Sequence, residues 1–196
     1  MTQPLRIVIA DDEPDMRDYF RKILPRLGHA VVAAADNGRQ LVDEVRDHRP
    51  DLVITDIKMP DMDGIDAATE IYREYAVPVI LVSAYHEPEL IERAEADHIM
   101  GYLVKPIKQA DLEPVIALSL HRFAQFEALR QEAADLRQAL EDRKLIERAK
   151  RVLMKQGAPD EQEAFGRLQQ LAGERSCKLV EAARLLLDES RRRAQE

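Results

Sequence analysis

The chain has 196 residues, 45% of them hydrophobic, with a formal net charge of −8; that is long for one domain and comfortable for one plus a smaller one. A single cysteine, Cys177, excludes an internal disulfide framework. The N-terminus carries no charged-then-apolar leader, and the longest apolar stretch (76–84, interrupted by Pro78) is too short to span a bilayer, so a soluble cytoplasmic protein with no membrane partner is expected. The charge is unevenly spread: residues 1–120 hold 13 Lys+Arg against 23 Asp+Glu, whereas residues 121–196 hold 16 against 14, so only the second part is suited to face an anion.

In chain order, residues 5–10 read as a strand that ends on Asp11-Asp12-Glu13-Pro14. Pro14 can open a helix, and Met16, Tyr19, Phe20, Ile23, Leu24 and Leu27 keep helical spacing up to Gly28. Residues 29–34 resume as a strand with Asp36-Asn37-Gly38 as its turn, followed by a helical stripe of Leu41, Val42 and Val45. Residues 52–55 form a short apolar strand that stops on Asp56; Pro60 and Asp63-Gly64 are turn residues, and 65–75 read as helix. A fourth strand over 77–82 ends at Ser83, a helix is expected over 90–96, and a fifth strand over 101–104 ends at Lys105-Pro106. A last helix opens near Asp111, a candidate cap, with Pro114 in its first turn.

Five alternating βα units predict a doubly wound, flavodoxin-like parallel sheet of strand order 2-1-3-4-5, with helices on both faces. In such sheets ligands bind at the carboxyl ends of the strands. Those ends carry Asp11 and Asp12, Asp56, Ser83 and Lys105. One carboxylate at a strand end is commonly a turn or cap residue, but polar residues of this kind on four separate strand ends point to a site. Clustered carboxylates repel and call for a hard divalent cation, for which Mg²⁺ is suited. A carboxylate beside a metal and a lysine is prepared to attack phosphorus, and the Ser83 hydroxyl can hydrogen-bond a phosphoryl oxygen. Asp61-Met-Asp63-Gly64 superficially resembles the aspartyl-phosphate hydrolase motif but lacks the strand before it, and no glutamate closes a calcium loop. The five histidines show no metal-ligand spacing.

Beyond residue 120, no Gly or Pro occurs from 115 to 156, and Phe126, Leu129, Ala133, Leu136 and Leu140 step by three and four. The last sheet-covering helix is expected to run on as a rod with a coiled-coil-like seam. Packing of that seam within the chain and pairing of two copies both remain open. From Arg143 three short amphipathic helices form a bundle. The first carries Leu145, Ile146, Ala149, Val152 and Leu153 up to Gly157. The second opens with a capping box from Asp160 to Glu163 and ends at Gly173, and Ser176 can cap the third. Lys144, Arg148, Arg151 and Lys155 lie within roughly 60° of one another around the first helix, away from its apolar stripe. A basic helix face is often only solvated, but in an otherwise acidic chain it suits a phosphate backbone. The division expected is 1–120, a helical linker at 121–142, and a bundle at 143–196.

Ala10-Asp11-Asp12-Glu13, Asp56-Ile-Lys-Met-Pro60-Asp-Met-Asp63-Gly64, Val82-Ser83-Ala84 and Tyr102-Leu-Val-Lys105-Pro106 resemble, in order, the motifs of the receiver domain of bacterial two-component response regulators. The resemblance implies that Asp56 accepts a phosphoryl group from a sensor histidine kinase or small phosphodonor. Asp12, Asp56 and the backbone carbonyl of Lys58 would hold Mg²⁺, with Asp11 assisting. Ser83 and Lys105 would contact the phosphoryl oxygens, and Ser83 with Tyr102 would form a two-position switch. It also implies a protein that promotes its own aspartyl phosphorylation and dephosphorylation without being an enzyme toward other substrates. Arg143 to Gly157, then Glu163-Ala-Phe165 and Leu168, resemble the ANTAR domain, the RNA-binding module of transcription antitermination regulators. That implies binding of stem-loops in nascent transcripts, with Arg143, Lys144, Arg148, Lys150, Arg151 and Lys155 as candidate contacts. A protein-docking adaptor predicts binding insensitive to charge reversal on this face. A DNA-binding reading needs a recognition helix, and the Arg191-Arg-Arg193 cluster stands at the wrong end of the third helix for one.

Overall fold

A computed structural model describes residues 3–84 and 99–193; the helix expected over 90–96 lies outside them. The elements are β1 (Arg6–Ala10), α1 (Pro14–Arg26), β2 (Ala30–Ala35), α2 (Gly38–His48), β3 (Leu52–Asp56), α3 (Gly64–Glu74), β4 (Val79–Ser83), β5 (Ile99–Val104), α4 (Gln109–Lys155), α5 (Glu161–Glu174) and α6 (Leu179–Arg193). All four strand pairings are parallel, in the order β2-β1-β3-β4-β5. β3 and β4 are buried along their whole lengths, which is why they read as unbroken apolar runs rather than alternating ones. Alternate side chains serve opposite faces. Val8, Val53 and Leu81 pack with Leu41 and Val45 of α2 and Ile71 of α3, while Ile7, Ile54 and Ile80 pack with Phe20 and Leu24 of α1 and Leu112 and Ile116 of α4.

The helix ends show how local chemistry sets the boundaries. Asn37 accepts from the Gln40 N–H at 2.8 Å, Asp63 from Asp66 at 2.8 Å and Asp160 from Glu163 at 2.8 Å, each as an N-cap. Two expected caps sit elsewhere. Asp111 lies inside the first turn of α4 and reaches back to accept from the Lys108 N–H at 3.2 Å. Ser176 belongs to the end of α5: its own N–H donates to Gly173 at 3.1 Å and the Cys177 N–H to Ala172 at 3.0 Å, with Ser176 at a left-handed φ of 49°. This is the Schellman closure, with serine where glycine is usual. α6 then opens after Lys178, whose N–H donates to Glu181 at 3.1 Å.

The chain divides into two compact units, residues 1–127 and 128–196, and α4 contributes its first part to one and its remainder to the other. The second unit has a small core of its own, Ala149, Leu168, Ala172, Ala182 and Ala183, edged by Ile146, Leu153, Leu171, Leu179, Leu186 and Leu187. Leu129, Leu136 and Leu140 of the seam are not in that core; they are 66%, 60% and 58% exposed. Among the described residues no helix is long and apolar enough to cross a membrane.

Candidate functional site

At the carboxyl ends of β1, β3, β4 and β5 a cavity of about 220 Å³ is lined by Asp12, Glu13, Asp56, Lys58, Ser83, Ala84 and Lys105. Lys105 dominates its electrostatics. Its ammonium lies 3.0 Å from Asp11 Oδ2, 2.9 Å from Asp56 Oδ1 and 3.6 Å from Glu13 Oε1, so one cation spans two buried carboxylates. The lysine is brought there by the backbone, since its N–H donates to the Ser83 carbonyl at 2.8 Å. Asp56 Oδ2 accepts from the Lys58 N–H at 2.9 Å, and Asp11 Oδ1 from Glu13 at 2.9 Å.

Burial pushes the Asp11 and Asp56 carboxyls above the usual carboxylate range, which hydrogen bonds and charge from Lys105 offset only in part. At Lys105 burial alone would lower the ammonium's pKa, but the two carboxylates outweigh it and hold the group well above the usual lysine range. The lysine therefore stays charged, and the pocket keeps strongly polarised acceptors that are costly to leave without a cation.

Carboxylate oxygens of Asp11, Asp12 and Glu13 come within 4.8 Å of one another, and Asp12 and Glu13 line the cavity together with Asp56. An all-oxygen, multiply anionic set of this kind fits Mg²⁺ in its donor chemistry. Gly64 explains why α3 can begin so close behind Asp56: its N–H donates to the Ile57 carbonyl at 2.8 Å, and a Cβ there would run into the Asp56 carbonyl. Tyr102 is half-buried, on the α2 and α3 side of the sheet, and does not line the cavity. Two residues without an assigned role in the sequence stand out here: Glu13, in reach of Lys105, and Arg17, which donates to the Asp11 and Asp12 carbonyls. Glu13 was visible only as part of a motif, and Arg17 only as a polar position in a helix.

In the second unit, Arg143, Lys144, Arg148, Arg151 and Lys155 are exposed along α4, and Lys144 pairs with Glu141 at 2.7 Å. Lys150 stands apart from them. Its ammonium bridges Glu147 at 2.9 Å and Glu161 of α5 at 3.1 Å, and its side chain is 11% exposed. Those bonds hold Glu147 below the usual carboxylate range and raise Lys150. This lysine braces α4 against α5. Phe165, 37% exposed on α5, is the one large aromatic on the surface of this unit among the described residues.

Residues 7–117 match the response regulator receiver domain family and residues 134–187 the ANTAR domain family. A transcriptional regulatory protein of Mycobacterium tuberculosis, PdtaR, is 40% identical over 185 residues, which cover 94% of this chain and 90% of that one. Among solved structures, the receiver domain of the response regulator NarL from M. tuberculosis is 28% identical with a TM-score of 0.55, covering 59% of this chain and 95% of that one. The CheX–CheY–BeF₃–Mg complex from Borrelia burgdorferi contains a chain 26% identical with a TM-score of 0.55, covering 58% of this chain and 87% of that one. The chain belongs to the two-component response regulators that join a receiver domain to a C-terminal ANTAR domain.

Proposed function

We propose that this protein is a phosphorylation-controlled, cytoplasmic regulator whose Asp56 takes a phosphoryl group from a sensor histidine kinase, and whose C-terminal bundle binds RNA stem-loops to cause transcription antitermination. The observation that carries the reading is the single Lys105 ammonium shared by buried Asp11 and Asp56 in a cavity that also holds Ser83. In this reading residues 1–120 act as the receiver, 121–142 as a linker and 143–196 as the output domain.

A carboxylate oxygen of Asp56 forms the new O–P bond as the N–P bond of the donor phosphohistidine breaks, leaving the imidazole as product. Lys105 turns from Asp56 toward the phosphoryl oxygens, and Ser83 donates its hydroxyl to one of them. Asp11, Asp12, Asp56 and the Lys58 carbonyl are the groups that would hold Mg²⁺, which neutralises charge on the transferring group when bound. Water attack on the acyl phosphate reverses the modification in the same pocket. The Ser83/Tyr102 pair then reports the charge at Asp56 to the rest of the receiver.

The RNA surface proposed is Arg143, Lys144, Arg148, Arg151 and Lys155; Lys150 is assigned instead to the brace between α4 and α5. Backbone and shape reading of a stem suits this face better than a stacking platform, given one exposed aromatic. Two copies are proposed to join along Leu129, Ala133, Leu136 and Leu140. With these at the inward heptad positions, a parallel pair places Glu132 of one copy beside Arg137 of the other. An antiparallel pair instead sets Arg130, Arg137 and Lys144 against their own kind.

The test is binding of full-length protein to stem-loop and single-stranded RNAs, with and without beryllofluoride and Mg²⁺, alongside sedimentation of wild type and Leu136→Lys. Stem-loop binding that rises at least tenfold with the phosphoryl mimic and falls with Arg148→Glu is expected, with loss of dimer in Leu136→Lys. Binding to no RNA in either state at low salt would transfer the output role to docking of a protein partner.

A further inference from the structure

The acidic loop after β1 is held from its carbonyl side by one guanidinium. Arg17, half-buried in the first turns of α1, donates from a single terminal nitrogen to the carbonyl of Asp11 at 2.6 Å and that of Asp12 at 3.0 Å. Besides the Lys105 ammonium on the Asp11 and Glu13 carboxylates, the loop is tied at two backbone points, by the Asp11 N–H to the Ala35 carbonyl at 3.2 Å and by the Glu13 N–H to Asp11 Oδ1. Neither of these fixes Asp12, whose side chain is exposed at the mouth of the cavity. Three carboxylates within 4.8 Å repel one another, and a loop bearing them spreads unless its backbone is restrained. Arg17 supplies that restraint through backbone oxygens, so it takes up none of the carboxylate oxygens a cation would use.

We propose that Arg17 is a positioning residue for the cation site: its bridge across two successive carbonyls holds the Asp11 and Asp12 carboxylates in the arrangement that takes a divalent metal. The inference rests on the phosphoacceptor reading above. Two effects of Arg17 oppose each other. Its positive charge near the site weakens cation binding through space, while its bridge strengthens binding by keeping the ligands assembled before the metal arrives. Solvent screens the first effect at the open mouth of the cavity, whereas the second acts on the ligand-bearing backbone itself, so the bridge dominates.

Full-length Arg17→Met and Arg17→Leu both remove every side-chain donor and hence the bridge, so failure of one to fold leaves the other to decide. Each is titrated with Mg²⁺ by calorimetry from a metal-free state, and its melting is recorded in EDTA. Mg²⁺ Kd about fivefold weaker than wild type is expected at a melting midpoint in EDTA close to that of wild type, with Arg17→Lys recovering part of the loss because an ammonium can still reach a carbonyl. Unchanged or tighter Mg²⁺ binding in the bridge-less variants overturns the proposal. So does a lowered melting midpoint in EDTA with no change in Mg²⁺ affinity, which is the mark of a purely structural arginine. Wild-type protein that takes up no Mg²⁺ would instead overturn the phosphoacceptor reading itself.

Discussion

Lys105 is the residue on which both stability and chemistry converge. Replacing it with methionine leaves two buried carboxylates without their cation, so Lys105→Met should cost about 3 kcal/mol in urea unfolding in EDTA. Much of that loss should return on adding Mg²⁺, because the metal supplies the missing charge. A second buried group gives a pH signature. The His29 ring accepts the Leu5 N–H at 3.3 Å, and burial lowers its pKa against a smaller opposing pull from Glu113. A histidine depressed in the fold contributes stability above its unfolded pKa of about 6.5, lost as pH falls below it. Melting of wild type should therefore drop more steeply than that of His29→Gln between about pH 7 and 5.5. Asp11, Asp12, Asp56, Ser83 and Lys105 were legible in the sequence because each follows an apolar run that stops abruptly, and the sheet brings such stops together. Arg17 was not legible, since its partners are carbonyls, which no side-chain pattern reports.

At the scale of elements, the five strands and the helices that follow β1, β2, β3 and β5 could be read because buried parallel strands leave contiguous β-branched runs and their helices leave stripes of period 3.6. The ends were less legible. Gly173 looked like the stop of α5, yet the helix continues through Glu174 and turns on Ser176, whose left-handed φ of 49° glycine would meet without strain. Ser176→Gly should accordingly raise the stability of the C-terminal unit by about 0.5–1 kcal/mol, measured by thermal unfolding. The seam of α4 posed a different problem. Its spacing indicates an apolar stripe but not what covers it, and only the structure shows Leu129, Leu136 and Leu140 left outside the bundle core.

For the whole molecule, two units with separate cores predict two calorimetric transitions. The receiver buries large side chains such as Phe20, Leu24, Ile54, Ile80 and Leu81, whereas six of the seven buried residues described in the second unit are alanines. Apolar area per residue decides the order, so the bundle should melt first and the receiver second. Mg²⁺ should move the upper transition alone, and Lys150→Ala, which removes the α4–α5 brace, the lower one. A single transition responding to both would show the two cores to be cooperative.

The alanine core also bears on how long the protein lasts in a cell. A unit that opens often is cut in proportion to the time it spends open. A partner that binds only its folded form shortens that time by mass action. The C-terminal unit is thus expected to be the first place for a protease to enter, and a bound partner, such as the RNA proposed above, would shield it. Abundance of the regulator would then rise and fall with the supply of its targets, a feedback that needs no further component.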